Sequence, residues 1–199
     1  ATSEFATNPS ITKHDVLRVL GVEPDDLFPA ENKIEQPPLV VPREQERVLV
    51  KSIVDAVQHP VVVHADGGVG KSIFATRIGL HLPLGSMTVV YDCFGNGEYR
   101  APSHPRHGVR QALVQVGNEL AGAMHCHPLI PSGRAEDSRY FRAFLHRIKQ
   151  AVTSIRQQSP DALLCIVFDA ADNAEMAASE AGESASFARQ LIRETLPDG

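Results

Sequence analysis

The chain reads as an α/β fold of three layers, helices on both faces of a mainly parallel sheet. Two observations predict it. Apolar, β-branched runs at Val61 to Ala65, Met87 to Tyr91 and Ala162 to Phe168 alternate with segments of helical period, the pattern of strands joined by crossover helices. With 199 residues and 43% apolar side chains, the chain can bury one sizeable core and fits a single domain with a short appendage.

The elements follow in order. Residues Ala1 to Ser10 are small and polar and read as a disordered start. Thr12 is an N-cap for a short helix carrying Val16, Leu17, Val19 and Leu20, and Gly21 stops it. Pro24, Pro29, Pro37 and Pro38 among acidic residues make the next stretch an extended linker crossing a surface, so residues 1–38 form a tail, helix and linker, and 39–199 the core. Val48, Leu49, Ile53 and Ala56 set a helix over 43–58, and Pro60 separates it from the strand beginning at Val61. Ile73, Phe74, Ile78 and Leu82 give a helix over 71–81. Leu113, Val116, Leu120 and Ala121 mark another over 109–124, closed by Pro128 and Pro131. Phe141, Phe144, Leu145, Ile148 and Val152 mark a third over 138–157, whose outer face is rich in Arg and Lys. The run 162–168 is apolar enough for a central strand covered on both faces. Residues 170–186, rich in Ala, Ser and Glu, read as a flexible loop entering a last helix over 189–196.

The chemistry is concentrated where the first strand meets its helix. His64-Ala65-Asp66-Gly67-Gly68-Val69-Gly70-Lys71-Ser72 has the composition and flanks of a phosphate-binding loop. Its glycines let successive N–H groups turn into one anion-sized hollow, and the following helix adds its positive dipole end. In this reading Asp66, Gly67, Gly68, Val69, Gly70 and Ile73 line the nucleotide phosphates with their backbone, Lys71 reaches the β- and γ-phosphates, and Ser72 ligates Mg²⁺. Ala65 stands where the usual pattern has Gly. His64 is read as a strand residue. The second half of the site is Asp169-Ala170-Ala171-Asp172-Asn173-Ala174-Glu175, which follows the last apolar strand as a Walker B segment does. A carboxylate at a strand end can hold the Mg²⁺ hydration shell opposite Ser72, the role given to Asp169. Asp172 is the candidate to orient the attacking water, with Glu175 in reserve.

Gly-Gly-Val-Gly-Lys-Ser at 67–72, with an apolar strand ending Asp-Ala-Ala-Asp-Asn at 169–173, resembles the STAND class of signalling ATPases, the NACHT and NB-ARC relatives, from about Pro42 to the C-terminus. The resemblance implies a P-loop NTPase domain, incomplete before its γ-phosphate-sensing strand, within a larger protein. In that class a small residue follows the Mg²⁺-binding Asp and another acid lies three positions on, as Ala170 and Asp172 do here. It implies ATP with Mg²⁺ as ligand, slow hydrolysis, self-association through the NTPase domain, and a trigger that these residues do not name. Val41-Pro42-Arg43-Glu44 resembles the Arg-Glu motif of the class, which places Arg43 near the base or ribose. The run Tyr91-Asp92-Cys93-Phe94-Gly95-Asn96-Gly97-Glu98-Tyr99-Arg100 resembles large prokaryotic antiviral members. There, Arg100, Arg106 and Arg110 are candidates to touch phosphate or a neighbouring subunit.

Other classes fit less well. A nucleotide-gated scaffold without hydrolysis stays open as the alternative, whereas a small-molecule kinase on the same loop would need a lid and an acceptor pocket that the sequence does not offer. A formal charge of −5 gives no global basic footprint, so nucleic acid is no obligatory partner, although local basic patches remain compatible with it. Cys93, Cys126 and Cys165 make no disulfide framework and suit a reducing cytoplasm. Cys93, His104, His107, His125, Cys126 and His127 match no zinc spacing. No apolar run reaches the length of a membrane span, and none resembles a cleavable leader.

Overall fold

A computed structural model describes residues 10–56 and 59–197. The expectations for the N-terminal tail before Ser10, for the end of the helix at Gln58 and for the last two residues lie outside them. Two parallel strands, β1 (Met87–Asp92) and β2 (Leu164–Asp169), pair without slippage from Met87 opposite Leu164 to Asp92 opposite Asp169. The crossover between them is built of two helices, α4 (Val109–Gly122) and α5 (Asp137–Gln158). Helix α4 packs on β1, and α5 packs on α4 and β2. The fold is thus mixed helix and strand, with a two-stranded parallel sheet among the described residues.

The core lies between these elements. Val89 and Tyr91 of β1 meet Leu113, Val116 and Leu120 of α4 and Phe141, Phe144 and Ile148 of α5, with Phe187 closing the far side. Tyr91, Phe168 and Phe187 pack edge to face with ring centroids 5.1–6.2 Å apart, the arrangement favoured by aromatic quadrupoles. Leu113 has no exposed surface. Leu113→Ala removes its apolar contacts and leaves a cavity in a two-helix crossover that has little room to collapse, so a loss of about 3 kcal/mol is expected in urea denaturation.

Helix α4 is buried around nearly its whole circumference, including the polar Gln115 and Asn118. A buried amide must find partners, and here the N-terminal segment supplies them. Gln115 Oε1 accepts from the Ala30 N–H (2.9 Å), and Asn118 Nδ2 donates to the carbonyls of Leu27 (2.8 Å) and Leu129 (3.1 Å). Helix α1 (Lys13–Leu20), capped by Thr12 and Asp15 and ended by Gly21 in the left-handed region, joins this layer through Leu17. Leu17, Val22 and Leu27 cluster with Ile130. The proline-rich stretch expected to be extended includes a 3-10 turn at Pro24–Leu27, and Leu27 and Ala30 are buried against the rest of the protein.

Four more expectations need correction. Residues 61–65 join no strand, and the segment makes no backbone-to-backbone hydrogen bond among the described residues. A strand exists only by pairing, and β2 pairs with β1 alone. Val61, Val62 and Val63 are accordingly exposed at 41, 76 and 36%, and His64 is likewise no strand residue. For the same reason β2 is only partly covered rather than enclosed on both faces. The stretch read as a flexible loop contains α6 (Ala171–Glu180). Alanine has the highest helix propensity, and Ala174, Ala177 and Ala178 fall on one face, where they are buried. The last helix, α7 (Phe187–Leu191), starts earlier and is shorter than expected, with Ser186 as its N-cap.

Helices α2 (Glu44–Asp55) and α3 (Lys71–Arg77) make a smaller lobe beside β2, with α3 tightening into a 3-10 turn over Ile78–His81. The buried Glu46 ties the two together, 3.8 Å from Arg77 and 3.7 Å from His81.

Candidate functional site

Residues 67–70 form the turn that the glycines predict, and α3 starts at Lys71. Gly70 occupies the left-handed region (φ 91°) directly before the helix. An L side chain would be strained there, and Arg43 lies across the spot a Cβ would face. Arg43 stands at the N-cap of α2 and donates from Nη1 to the Val69 carbonyl at 2.6 Å. A residue 26 positions upstream thus braces the loop from the side. Lys71 turns its ammonium onto the loop, donating to the carbonyls of Ala65 (2.7 Å) and Asp66 (2.9 Å). Asp66, Gly67, Gly68 and Val69 are exposed, whereas Lys71, Ser72 and Ile73 are half-buried.

Helix α3 packs against β2, and this contact assembles the site. Ser72 and Lys71, which open α3, both act to lower the pKa of the Asp169 carboxylate. Asp169 is 9% exposed at the end of β2. Burial raises its pKa above the ordinary carboxylate value, Asp92 adds to the rise, and Ser72, the Ala170 N–H and Lys71 oppose it. The consequence for stability has a definite sign. An acid whose folded pKa is raised binds more protons when folded, so its contribution is full below about pH 3.8 and is lost as pH rises through the folded value. Asp169→Asn is therefore expected to stabilise the ligand-free chain at pH 7 by about 1 kcal/mol and hardly at all near pH 3.5, read from melting curves at the two pH values.

Ala170, next in the chain, has φ 55° without being glycine, a strained backbone of the kind found at functional sites. It redirects the chain so that α6 starts at once, with Asp172 exposed in its first turn. Glu175, one turn on, is engaged elsewhere. It accepts from the Ser186 N–H (3.1 Å) and pairs with Arg189 (2.9 Å), which joins α6 to α7. The structure therefore brings Arg43, the loop 66–70, Lys71, Ser72, Ile73 and Asp169 together, with Asp172 one turn beyond and Glu175 facing away.

Sequence reasoning passed over Asp92, which lies opposite Asp169 across the sheet and is 2% exposed. The signal was present, since Asp92 ends an apolar strand as Asp169 does. Its oxygens are already taken: Oδ1 accepts from the Phe94 and Gly95 N–H groups (3.0 and 2.9 Å) and Oδ2 from the Lys33 N–H (3.1 Å). Arg106, expected as a surface contact, is instead 3% exposed and donates to the carbonyls of Asp92 (2.7 Å) and Glu31 (2.8 Å). Arg100 pairs with Glu180 (2.8 Å), and Arg110 with Asp26 (3.8 Å). Burial pushes the Cys165 thiol up to about 11 and raises Cys93 and Cys126 as well.

Ser72 and Asp169 both carry hard oxygen donors, and a desolvated carboxylate near a hydroxyl is the pair that a Mg²⁺ ion with its waters suits. Among the described residues no three His, Cys, Asp or Glu side chains converge as a protein-only metal site, and no helix is long and apolar enough to cross a membrane. Comparison of the chain with protein-family models gives no match, and comparison with curated proteins gives none either.

Proposed function

We propose that this chain is a P-loop NTPase module of the STAND type, which binds ATP with Mg²⁺ on the loop 66–72 and hydrolyses it slowly as a switch within a larger self-associating signalling or defence protein. The observation that supports this most is the packing of α3 on β2, which puts Ser72 and Lys71 close enough to the Asp169 carboxylate to act on it. Nothing local favours that contact. It brings the start of the helix that follows a glycine-rich turn to the end of a strand 97 positions later, the two places from which a phosphate-bound Mg²⁺ is held. In this reading the loop N–H groups hold the phosphates. Lys71 leaves the carbonyls of Ala65 and Asp66 for the β- and γ-phosphates. Bound Mg²⁺ would neutralise charge on the phosphate oxygens. Arg43 already touches the loop and is placed to meet the ribose or base.

A second reading, a scaffold gated by ATP or ADP without hydrolysis, is favoured by one observation. Glu175 is committed to Ser186 and Arg189, which leaves Asp172 as the single acid of α6's first turns free to orient a water. Turnover and calorimetric ATP binding with and without Mg²⁺, measured on the wild type beside Asp172→Asn and Asp169→Asn, separate the two. The switch reading expects Asp172→Asn to bind normally while losing turnover about a hundredfold, and Asp169→Asn to lose the Mg²⁺-dependent part of binding. Mg²⁺-dependent binding without turnover in the wild type selects the scaffold. No ATP binding at all overturns both.

A further inference from the structure

Helix α5 carries a feature that the nucleotide site does not use. Arg139, Arg142, His146, Lys149 and Thr153 are all exposed. At 100° per residue they fall, with Arg156 and Gln157, within an arc of about 100°, opposite the buried stripe of Tyr140, Phe141, Phe144, Ile148 and Ile155. From Arg139 to Arg156 the row is about 25 Å long. Elsewhere about half of the chain's cations are paired with acids. Arg18, Lys33, Arg77, Arg100, Arg106, Arg110 and Arg189 each lie within ion-pair distance of an acid. Among the described residues, none of the five Arg and Lys of α5 does so. The one acid within the helix, Asp137, sits in its first turn, where it complements the helix dipole. The local charge therefore runs against the −5 of the whole chain.

Beside the row runs a groove of about 570 Å³ between α5 and the turn at Met124 to His127, lined by His125, His127, Lys149, Gln150 and Ser154 among others and by no carboxylate. Gln150 Oε1 and the Nε atoms of Arg147 and Arg156 are buried without partners in this part of the molecule. Tyr140, Phe141 and Phe144 of α5 are turned into the core, so the rings this face offers are the imidazoles of His125, His127 and His146.

We propose that this face binds the phosphate backbone of duplex nucleic acid without reading its sequence. Phosphate contacts come from Arg and Lys helped by Ser, Thr and Gln donors, which is the composition of this row. With no Phe, Tyr or Trp on it, the face lacks the large stacking platforms of single-strand binders. Its length fits within one helical turn of a duplex, about 34 Å. Arg139, Arg142, Lys149 and Arg156 supply about four phosphate contacts.

The test is fluorescence anisotropy of the full chain with a random-sequence duplex of about 20 base pairs across a salt series. Four contacts predict a log–log slope near −3.6, that is, about a hundredfold weaker binding between 50 and 200 mM salt. The exposed triple variant Arg139→Glu/Arg142→Glu/Lys149→Glu should lose binding and flatten the slope by about three contacts. Lys13→Glu/Arg47→Glu/Lys51→Glu, with the same charge change elsewhere, should keep both, and circular dichroism checks that each variant is folded. Absent duplex binding at 50 mM salt, or equal losses in the two triple variants, overturns the proposal. So does equal affinity for poly-glutamate, which would assign the face to an acidic protein. A wild-type dimer in sedimentation that the α5 variant alone dissolves would assign it to a second copy of this chain, and overturns the proposal too.

Discussion

Lys71→Ala is expected to lower ATP turnover about a hundred- to a thousandfold, the range seen when one preorganised donor to developing charge is removed. Its ammonium stands 2.7 and 2.9 Å from two carbonyls of the loop itself. Those carbonyls lie on exposed residues, so water can replace the lost donor and the fold should keep its melting temperature within about 0.5 kcal/mol. That separation makes the result informative. Steady-state phosphate release and a thermal melt on the same sample read both quantities. A large loss of turnover with an unchanged melt supports phosphate chemistry at the loop, whereas unchanged turnover in a nucleotide-hydrolysing wild type would sink the role given to Lys71.

Gly95→Ala is expected to cost 3 kcal/mol or more, about as much as a large core truncation. Two effects act together. Gly95 has φ 56°, a region where a Cβ is strained, and an added Cβ would collide with the Arg106 guanidinium. A long side chain usually yields to such a clash. Arg106 has no room to yield, because it is buried and its two terminal nitrogens are bonded to the carbonyls of Asp92 and Glu31. Moving it would leave the buried Asp92 without the cation beside it, a loss of several kcal/mol in comparable buried pairs. Urea denaturation measures the change, and a cost below about 1 kcal/mol would mean that the Arg106 cluster is loose. Because Lys33 and Glu31 are fastened at the same point, the N-terminal segment should detach first, visible as early exchange of the Ala30 amide.

Much of this was legible along the chain because it depends on neighbours in sequence. Helix α5 was placed to within a residue or two by its apolar period, and Thr12 and Gly21 bounded α1 by cap chemistry that needs no tertiary partner. The turn over 67–70 is legible from glycines whose backbone freedom is an intrinsic property. Asp169 was found because an unbroken apolar strand ends on it. What the pattern could not convey was pairing. Val61 to Ala65 has a strand's composition, yet composition supplies no hydrogen-bond partner, and the segment stays unpaired and exposed. The alanine run after Asp169 was misjudged for the opposite reason. Its small side chains look featureless in sequence, and they become helical through high propensity and a flat face on which to pack.

The sequence by itself determined the local chemistry: a turn suited to phosphate, a lysine and a serine opening a helix, an acid closing a strand, and a cationic helix face in an acidic chain. The tertiary structure decided which of these meet. It set Ser72 near Asp169, laid Arg43 over Gly70, turned Glu175 away and buried Arg106 against Asp92. Contacts between residues 11 to 97 positions apart depend on how α3 packs on β2, how β1 pairs with it and how α6 meets α7. Such packing follows from the shapes of whole faces brought together, which no short window of sequence contains.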